Sequence, residues 1–385
     1  MKHDYYERRE ELRNKKRKKS SNKIASIFII FMVITMLFLG YIHSQITPVN
    51  KNNSDKVKIH IREGEGSSSI VETLYQKKLI KNKFIFKIYA KTINKKDFFT
   101  GSFDLSQDMS VNEIIYFLTN KDNAKPLYTL SIIEGDNILK IAEKLEKLTG
   151  IKKQDFIDKI NDKNFINKLS QKYPELITSE IEDDDIKYKL EGYLYPAKYD
   201  IEKINDENKD IESLISQMVW LTNEKVLPIF KKQELVWNIS GDKEKVTIHK
   251  YITMSSILEK ESTKSTDNEK IAGVFLNRLA LNMPLQTDPT VYYSLNKTSG
   301  ELTLEDLKND SKYNTYVNYG LPPGPICSPG EKSYEAINNS SQHGYLYFLT
   351  DKEGKAYFSK TFEEHEQLAK EHIRGYVGSN EKIDG

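Results

Sequence analysis

The run SSILEKESTKS, residues 255–265, carries two glutamates separated by one lysine, Glu259 and Glu261. One well-placed carboxyl can act as a general acid, and two at a suitable separation can divide the acid and base work of glycoside cleavage. The residues around them, VTIHKYITMSSILEKES, read as a helix from about His249. Successive helical residues turn by about 100°, so the two glutamates cannot share a face. Met254, Ile257, Leu258 and Glu261 fall on one stripe, while Ile252, Ser255, Ser256 and Glu259 lie on another. A carboxyl on an apolar stripe ionises poorly, which raises its pKa toward that of a proton donor. The helical phase therefore singles out Glu261 as an acid and leaves Glu259 as a surface or supporting residue. The plainer alternative is a helix-end glutamate that reaches solvent.

Polar groups suited to a sugar follow. IAGVFLNRLALNMPLQTDPTVYYSL opens as a second amphipathic helix, about 270–282, with Asn277 and Arg278 inside an aliphatic run. Pro284 and Pro289 then bracket Gln286, Thr287 and Asp288, and a proline on each side fixes a loop. Farther on, YNTYVNYGLPPGPICSPG, residues 313–330, sets Tyr313, Asn314, Thr315 and Tyr316 ahead of a Gly/Pro-rich turn. Aromatic faces interleaved with amides and hydroxyls grip carbohydrate rings. Taken singly, each loop also reads as a turn with capping residues. YLYFLTDKEGKAYFSKTFEEH reads as a β-hairpin turning near Glu353 and Gly354. The seven histidines are scattered without ligand spacing, so neither a metal nor another cofactor is expected. A lone cysteine, Cys327, excludes an intramolecular disulfide and a thiolate metal cage.

The elements that position these residues span more than one folding unit, since 385 residues exceed an ordinary single domain. Residues 203–235 have a helical rhythm and predict one long helix bracing the C-terminal part. The net charge of +2 hides an asymmetry: residues 1–43 hold ten Lys/Arg against four Asp/Glu, and the rest 48 against 52. No comparable basic stripe is read beyond that tail, so nucleic acid is not an expected partner. IASIFIIFMVITMLFLGYI, residues 24–42, has no charged side chain, and 19 residues at about 1.5 Å each span the hydrocarbon core. The basic run before it predicts a cytoplasmic N-terminus and an exported remainder. A cleaved signal peptide is the rival, but the apolar run is long for one and no small-x-small site follows. Residues 43–56 are polar and read as a linker.

A weak repeat comes next. IREGEGSSSIVETL from Ile61 and IIEGDNILKIAEKL from Ile132 share Glu63-Gly64 with Glu134-Gly135, and Ile70, Val71, Glu72 and Leu74 with Ile141, Ala142, Glu143 and Leu145. Each copy runs from a β-rich segment through a glycine turn into an amphipathic helix. Units this small bind or position something, or merely pack.

LEGYLYPAKYDI (190–201), SILEKES, IAGVFLNRLALNMPLQTDPTVYY, YNTYVNYGLPPGPICSPG and YLYFLTDKEGKAYFSKTFEEH, in this order and spacing, resemble the YceG-like family of endolytic murein transglycosylases. The resemblance covers roughly residues 57–375 and is most specific over 250–350. It implies an α+β, membrane-anchored protein with one or two LysM-like β-α subdomains ahead of a mixed α+β catalytic domain. The implied boundaries are a basic cytoplasmic tail (1–23), a transmembrane helix (24–42), a linker (43–56), a LysM-like subdomain (57–125), a second β-α subdomain (126–202), a catalytic domain (203–375) and a flexible tail (376–385). It implies cleavage of the β-1,4 bond between N-acetylmuramic acid and N-acetylglucosamine within peptidoglycan strands, leaving 1,6-anhydro ends. Glu261 matches the family's catalytic glutamate. Glu191, Asn277, Gln286, Thr287, Asp288, Tyr313, Asn314, Thr315 and Tyr316 match its substrate groove, with Gln286, Asn277 and Asn314 as candidates to hold N-acetyl groups. Implied partners are glycan strands, the cytoplasmic membrane, and penicillin-binding synthases with divisome or elongation proteins. The chain departs from the family at Ala197 and Lys198, where Asp-Thr is common, and at Ala356, where His is common.

Three readings follow. The first is a lytic transglycosylase with Glu261 as acid and then base. The second is a water-using muramidase with Asp288 as base. The third is a wall-binding scaffold without catalysis. Anhydro as against reducing muramic ends separate the first two, and the effect of Glu261→Gln on strand cleavage tests the third.

Overall fold

The computed structural model describes residues 28–95, 97–202, 207–263 and 266–373. The basic tail expected at 1–23, the first residues of the expected span and the tail at 376–385 lie outside them. The chain divides into two compact units, residues 1–127 and 128–385.

In the first unit, helix α1 (Phe28–Ile46) runs for 19 residues without an Asp, Glu, Lys or Arg, and its side chains face outward from Phe28 to Tyr41. Its length and composition fit a single-pass membrane anchor. Then come β1 (Val57–Ile61), α2 (Ser67–Gln76), α3 (Lys83–Thr92), β2 (Gly101–Leu105) and α4 (Val111–Leu118). β1 and β2 are antiparallel, with Ile59 opposite Phe103 and Ile61 opposite Gly101. Period-two alternation turns Ile59, Ile61, Phe103 and Leu105 into a core with Leu74, Phe86, Ile114 and Leu118. Asn82 caps α3 by accepting from Phe84 and Ile85 N–H, and Ser110 with Glu113 forms a capping box on α4. The segment read as a linker is held against this unit: Asn50 N–H donates to the Gln107 carbonyl, and Asp108 N–H to that of Asn53.

The second unit begins with β3 (Leu127–Ser131), followed by α5 (Ile138–Thr149), α6 (Lys153–Asn161) and α7 (Lys163–Lys172). β4 (Lys198–Glu202) returns to pair with β3, and α8 (Glu207–Phe230) supplies most of the long helix expected at 203–235. A hairpin of β5 (Val236–Ile239) and β6 (Asp242–Lys245) leads into α9 (Ile248–Glu261), α10 (Asn268–Ala280) and α11 (Asp288–Leu295). Last come α12 (Glu331–Asn338), β7 (Tyr347–Thr350), β8 (Ala356–Ser359) and α13 (Phe362–His372). β7 and β8 form the expected hairpin, with Gly354 in its turn at φ +84°. The whole is mixed α+β.

Both copies of the repeat take one local form. A strand ends, a glycine adopts positive φ (Gly64 at +75°, Gly135 at +79°), and a helix buries Ile70, Val71 and Leu74 or Ile141, Ala142 and Leu145. The left-handed turn favours glycine because a Cβ would crowd the backbone there.

α9 departs from the amphipathic reading. Met254, Ile257 and Leu258 are buried, but so are Ile252, Ser255 and Ser256, so the helix is enclosed on every side. Its serines tolerate burial because their hydroxyls bond backbone carbonyls, Ser255 to Tyr251 and Ser256 to Thr253. Ser256 also accepts from Ile326 N–H, which ties the 313–330 loop to the helix. Another correction falls on Pro289. It does not close a loop but stands in the first turn of α11, where its missing N–H leaves no helical bond unmade.

Candidate active site

Thr247 starts α9 by accepting from Lys250 N–H, and fourteen residues later the buried helix delivers Glu261 to a cleft of about 740 Å³. Phe275 and Arg278 of α10 line it, as do Leu285, Gln286, Thr287 and Asp288 leading into α11. Tyr316 borders it from the 313–330 loop, Tyr347 to Thr350 from β7, and Phe362 and His365 from α13.

Among the described residues nothing hydrogen-bonds the Glu261 carboxyl. Burial, and then the nearby Asp288 charge, raise its pKa to about 7. The C-terminal end of α9 disfavours a negative charge in the same sense. Glu259 is differently placed. Its carboxylate accepts from Gly330 N–H at 2.9 Å and Ser333 hydroxyl at 2.6 Å, satisfying the start of α12. Partners, rather than helical phase, distinguish the two acids. Glu259→Gln keeps one acceptor for that helix start, so a loss of about 1 kcal/mol in stability and near-normal activity are expected, read by thermal melts and strand cleavage.

Asp288 opens α11, where the helix dipole favours negative charge, and accepts from the Tyr316 hydroxyl at 2.6 Å. Gln286 is held at φ +52°, with its N–H on the Thr315 carbonyl and its side-chain oxygen taking a hydrogen bond from Arg278. Arg278 also donates to the carbonyls of Pro284, Leu285 and Leu346, and its guanidinium lies 5.0 Å from the centre of the Tyr347 ring. Thr287, Thr290 and Thr315 form a buried hydroxyl cluster, Thr290 Oγ1 to Thr315 Oγ1 at 2.9 Å, that locks this turn to the following loop.

The structure thus brings Glu261, Gln286, Thr287, Asp288 and Tyr316 together at one cleft. The other expected groove residues stand behind it. Asn314 is fully buried, its amide donating to the Leu307 and Asn309 carbonyls and its oxygen accepting from Tyr316 N–H. Asn277 donates to the carbonyls of His343 and Tyr345. Tyr313 and Thr315 are buried, and the Tyr313 ring packs 4.9 Å from that of Tyr293. Of the three candidate N-acetyl amides, only Gln286 faces the cleft, because backbone carbonyls already take the others. Glu191 is buried beneath α11: its oxygens accept from Ile138 N–H and the Tyr293 hydroxyl, and burial raises its pKa to about 8. Of the departures, Ala197 gives its carbonyl to Ile132 N–H and Ala356 pairs with Thr350 in the hairpin.

The sequence reading missed one wall of the cleft. Tyr347 stacks 5.5 Å from His365 and lies 6.0 Å from Phe362. Burial and the Arg278 charge lower the His365 pKa. The alternating aromatics of YLYFLT were the available signal, and nothing local joined them to α13 or to Glu261.

Fold and site define an α+β protein with a span-length N-terminal helix and an acid-bearing, aromatic-walled groove. The chain belongs to the YceG-like family, which it matches over residues 59–371. It is 36% identical over 342 residues to the endolytic murein transglycosylase of Bacillus subtilis, covering 89% of this chain and 91% of that one. The Streptococcus pneumoniae protein of the same name is 32% identical over 366 residues, and this chain spans 64% of its length. The crystal structure of a putative YceG-like protein from Listeria monocytogenes superposes with a TM-score of 0.56 at 38% identity, covering 82% of this chain and 99% of that one.

Proposed function

We propose that this protein is an endolytic lytic transglycosylase that cuts peptidoglycan strands at the β-1,4 bond following N-acetylmuramic acid. The observation that carries this reading is Glu261: an acid without a hydrogen-bond partner among the described residues, with a pKa of about 7, at an open cleft beside Asp288. Protonated Glu261 donates to the glycosidic oxygen as the bond to the muramic C1 breaks. The muramic 6-hydroxyl attacks C1, and the Glu261 carboxylate takes the proton from that hydroxyl. A 1,6-anhydro ring closes without water, and Glu261 ends protonated again. Asp288 holds the proton on Glu261 by repulsion and stabilises the positive charge that develops at C1. Gln286 orients an N-acetyl group, and Tyr347 and Phe362 offer faces for neighbouring sugars. Glu191, Asn277, Tyr313, Asn314 and Thr315 act by shaping the loops that carry these groups.

The relatives' names support this reading, and so does the β-α-α-β order of the first unit, which suits a LysM-like glycan grip. With α1 in the membrane and the N-terminus inside, the second unit lies on the wall side, where the enzyme releases or terminates strands made by penicillin-binding synthases. Mass spectrometry of products from uncrosslinked glycan tests the reaction: anhydromuramic ends are expected. Reducing muramic ends would assign Asp288 as a base that activates water, a reading its place in the cleft allows.

The pH profile should show the same acid. Cleavage needs the protonated form, so the rate falls as pH rises through about 7. Asp288→Asn removes the repulsion, lowers the Glu261 pKa and moves this limb toward acid, which initial rates across pH 5–9 would show.

A further inference from the structure

Residues 77–96 hold eight lysines and no Asp or Glu, a second basic run beyond the N-terminal tail. Its centre is α3. That helix buries Phe86 and Ala90 but leaves Phe84 70% and Ile88 49% exposed, one turn apart. Tyr75, also exposed, lies beside them with the Lys83 ammonium 4.9 Å from its ring centre. Two exposed apolar side chains ringed by lysines are the composition of a helix that lies in a membrane interface. The acid near this face is Glu72, and it is paired with Lys83 at 2.9 Å.

The position of α3 says which surface it meets. Lys81 Nζ donates to the Ser44 carbonyl and to the Thr47 hydroxyl, both at 2.9 Å, so the start of α3 is tied to the last turn of α1. Ile46 packs on the core of the first unit, and Asn50 and Asn53 are bonded to the Gln107–Asp108 turn. The chain leaving α1 therefore has no slack. If α1 crosses a bilayer, the lysines and Phe84 stand where its hydrocarbon gives way to headgroups.

We propose that the α3 face bearing Phe84 and Ile88 inserts into the headgroup region of the anionic membrane that α1 crosses, docking the first unit on the bilayer. The inference rests on α1 as a span and is independent of the reaction at Glu261. The aromatic and aliphatic side chains enter the interface, and the exposed Lys91 and Lys95 meet lipid phosphates.

The test uses the full chain in phosphatidylglycerol-containing nanodiscs. Cys327 is the single cysteine and is buried, so a spin label can be placed with Phe84→Cys and, as a reference, with Tyr116→Cys on α4, where the side chain is 57% exposed. Collision rates with oxygen and with a water-soluble nickel chelate report immersion. The label at 84 should favour oxygen several-fold over the label at 116. Lys91→Glu with Lys95→Glu should return the label at 84 toward the chelate. Equal, water-like behaviour at 84 and 116 overturns the proposal. So does a label at 84 shielded from both reagents, which indicates a protein contact, or a chain that does not enter nanodiscs.

Discussion

Glu261→Gln should abolish strand cleavage while leaving the fold intact. Glutamine has nearly the same shape but neither donates a proton to a leaving oxygen nor takes one from the 6-hydroxyl. General acid–base catalysis contributes roughly 10²- to 10⁴-fold, and here one group serves both half-steps, so the loss should reach the upper end. Glu261 has no hydrogen-bond partner among the described residues and sits at the end of its helix, so the neutral amide removes no internal contact. A melting temperature at or slightly above that of the wild type is expected, because a desolvated acid is replaced by a group that need not ionise. Cleavage of uncrosslinked glycan, followed by release of anhydromuramic ends, is the measurement. Full activity in Glu261→Gln together with loss in Glu259→Gln would reverse the assignment of the two acids.

The second large effect concerns stability. Glu191→Ala should destabilise the protein by about 3–5 kcal/mol, since it leaves the Ile138 N–H and Tyr293 hydroxyl without their buried partner and opens a cavity. The loss matters to the cleft because Tyr293 belongs to α11, the helix that begins with Asp288. Neighbouring Gly192, at φ +80°, passes so close to Pro325 and Ile252 that a Cβ there would lie 2.5 Å from Pro325 Cβ. That close approach limits how far the loop bearing Glu191 can shift toward Pro325 and Ile252 to compensate. Glu191→Gln keeps an acceptor and should lose far less. It should also flatten the pH dependence. Burial raises the folded pKa of Glu191 to about 8, so the folded state holds this proton more tightly than the unfolded chain. The stability from that proton is complete below the ordinary glutamate range and is lost as pH rises through about 8. Denaturant melts at pH 5 and pH 9 should show a marked fall for the wild type and a smaller one for Glu191→Gln.

Much of this protein is legible one segment at a time. The apolar run before residue 46, the two glycine turns of the repeat, the helices ending at Glu261 and starting near Asn268, and the hairpin at Gly354 all follow from hydrophobic period and turn chemistry. These are local forces, and they act whatever the rest of the chain does. Helical phase favours Glu261 over Glu259, yet α9 is buried on all sides, so phase is not what distinguishes them. The difference is that Gly330 and Ser333, about 70 residues away, hydrogen-bond Glu259, whereas among the described residues none hydrogen-bonds Glu261. The same limit applies to the amides. Asn277, Gln286 and Asn314 are alike in sequence, but carbonyls of the distant His343 and Tyr345 occupy Asn277, those of the turn just before it occupy Asn314, and Gln286 is left at the cleft. The wall of Tyr347, Phe362 and His365 was hidden for a related reason, since aromatic spacing within a hairpin and a helix does not say that both face an acid some 90 residues earlier. The sequence by itself determined which elements form and which carboxyl to examine. Tertiary structure alone decided which polar groups were already satisfied, because desolvation and hydrogen-bond partnership depend on what the rest of the chain brings alongside.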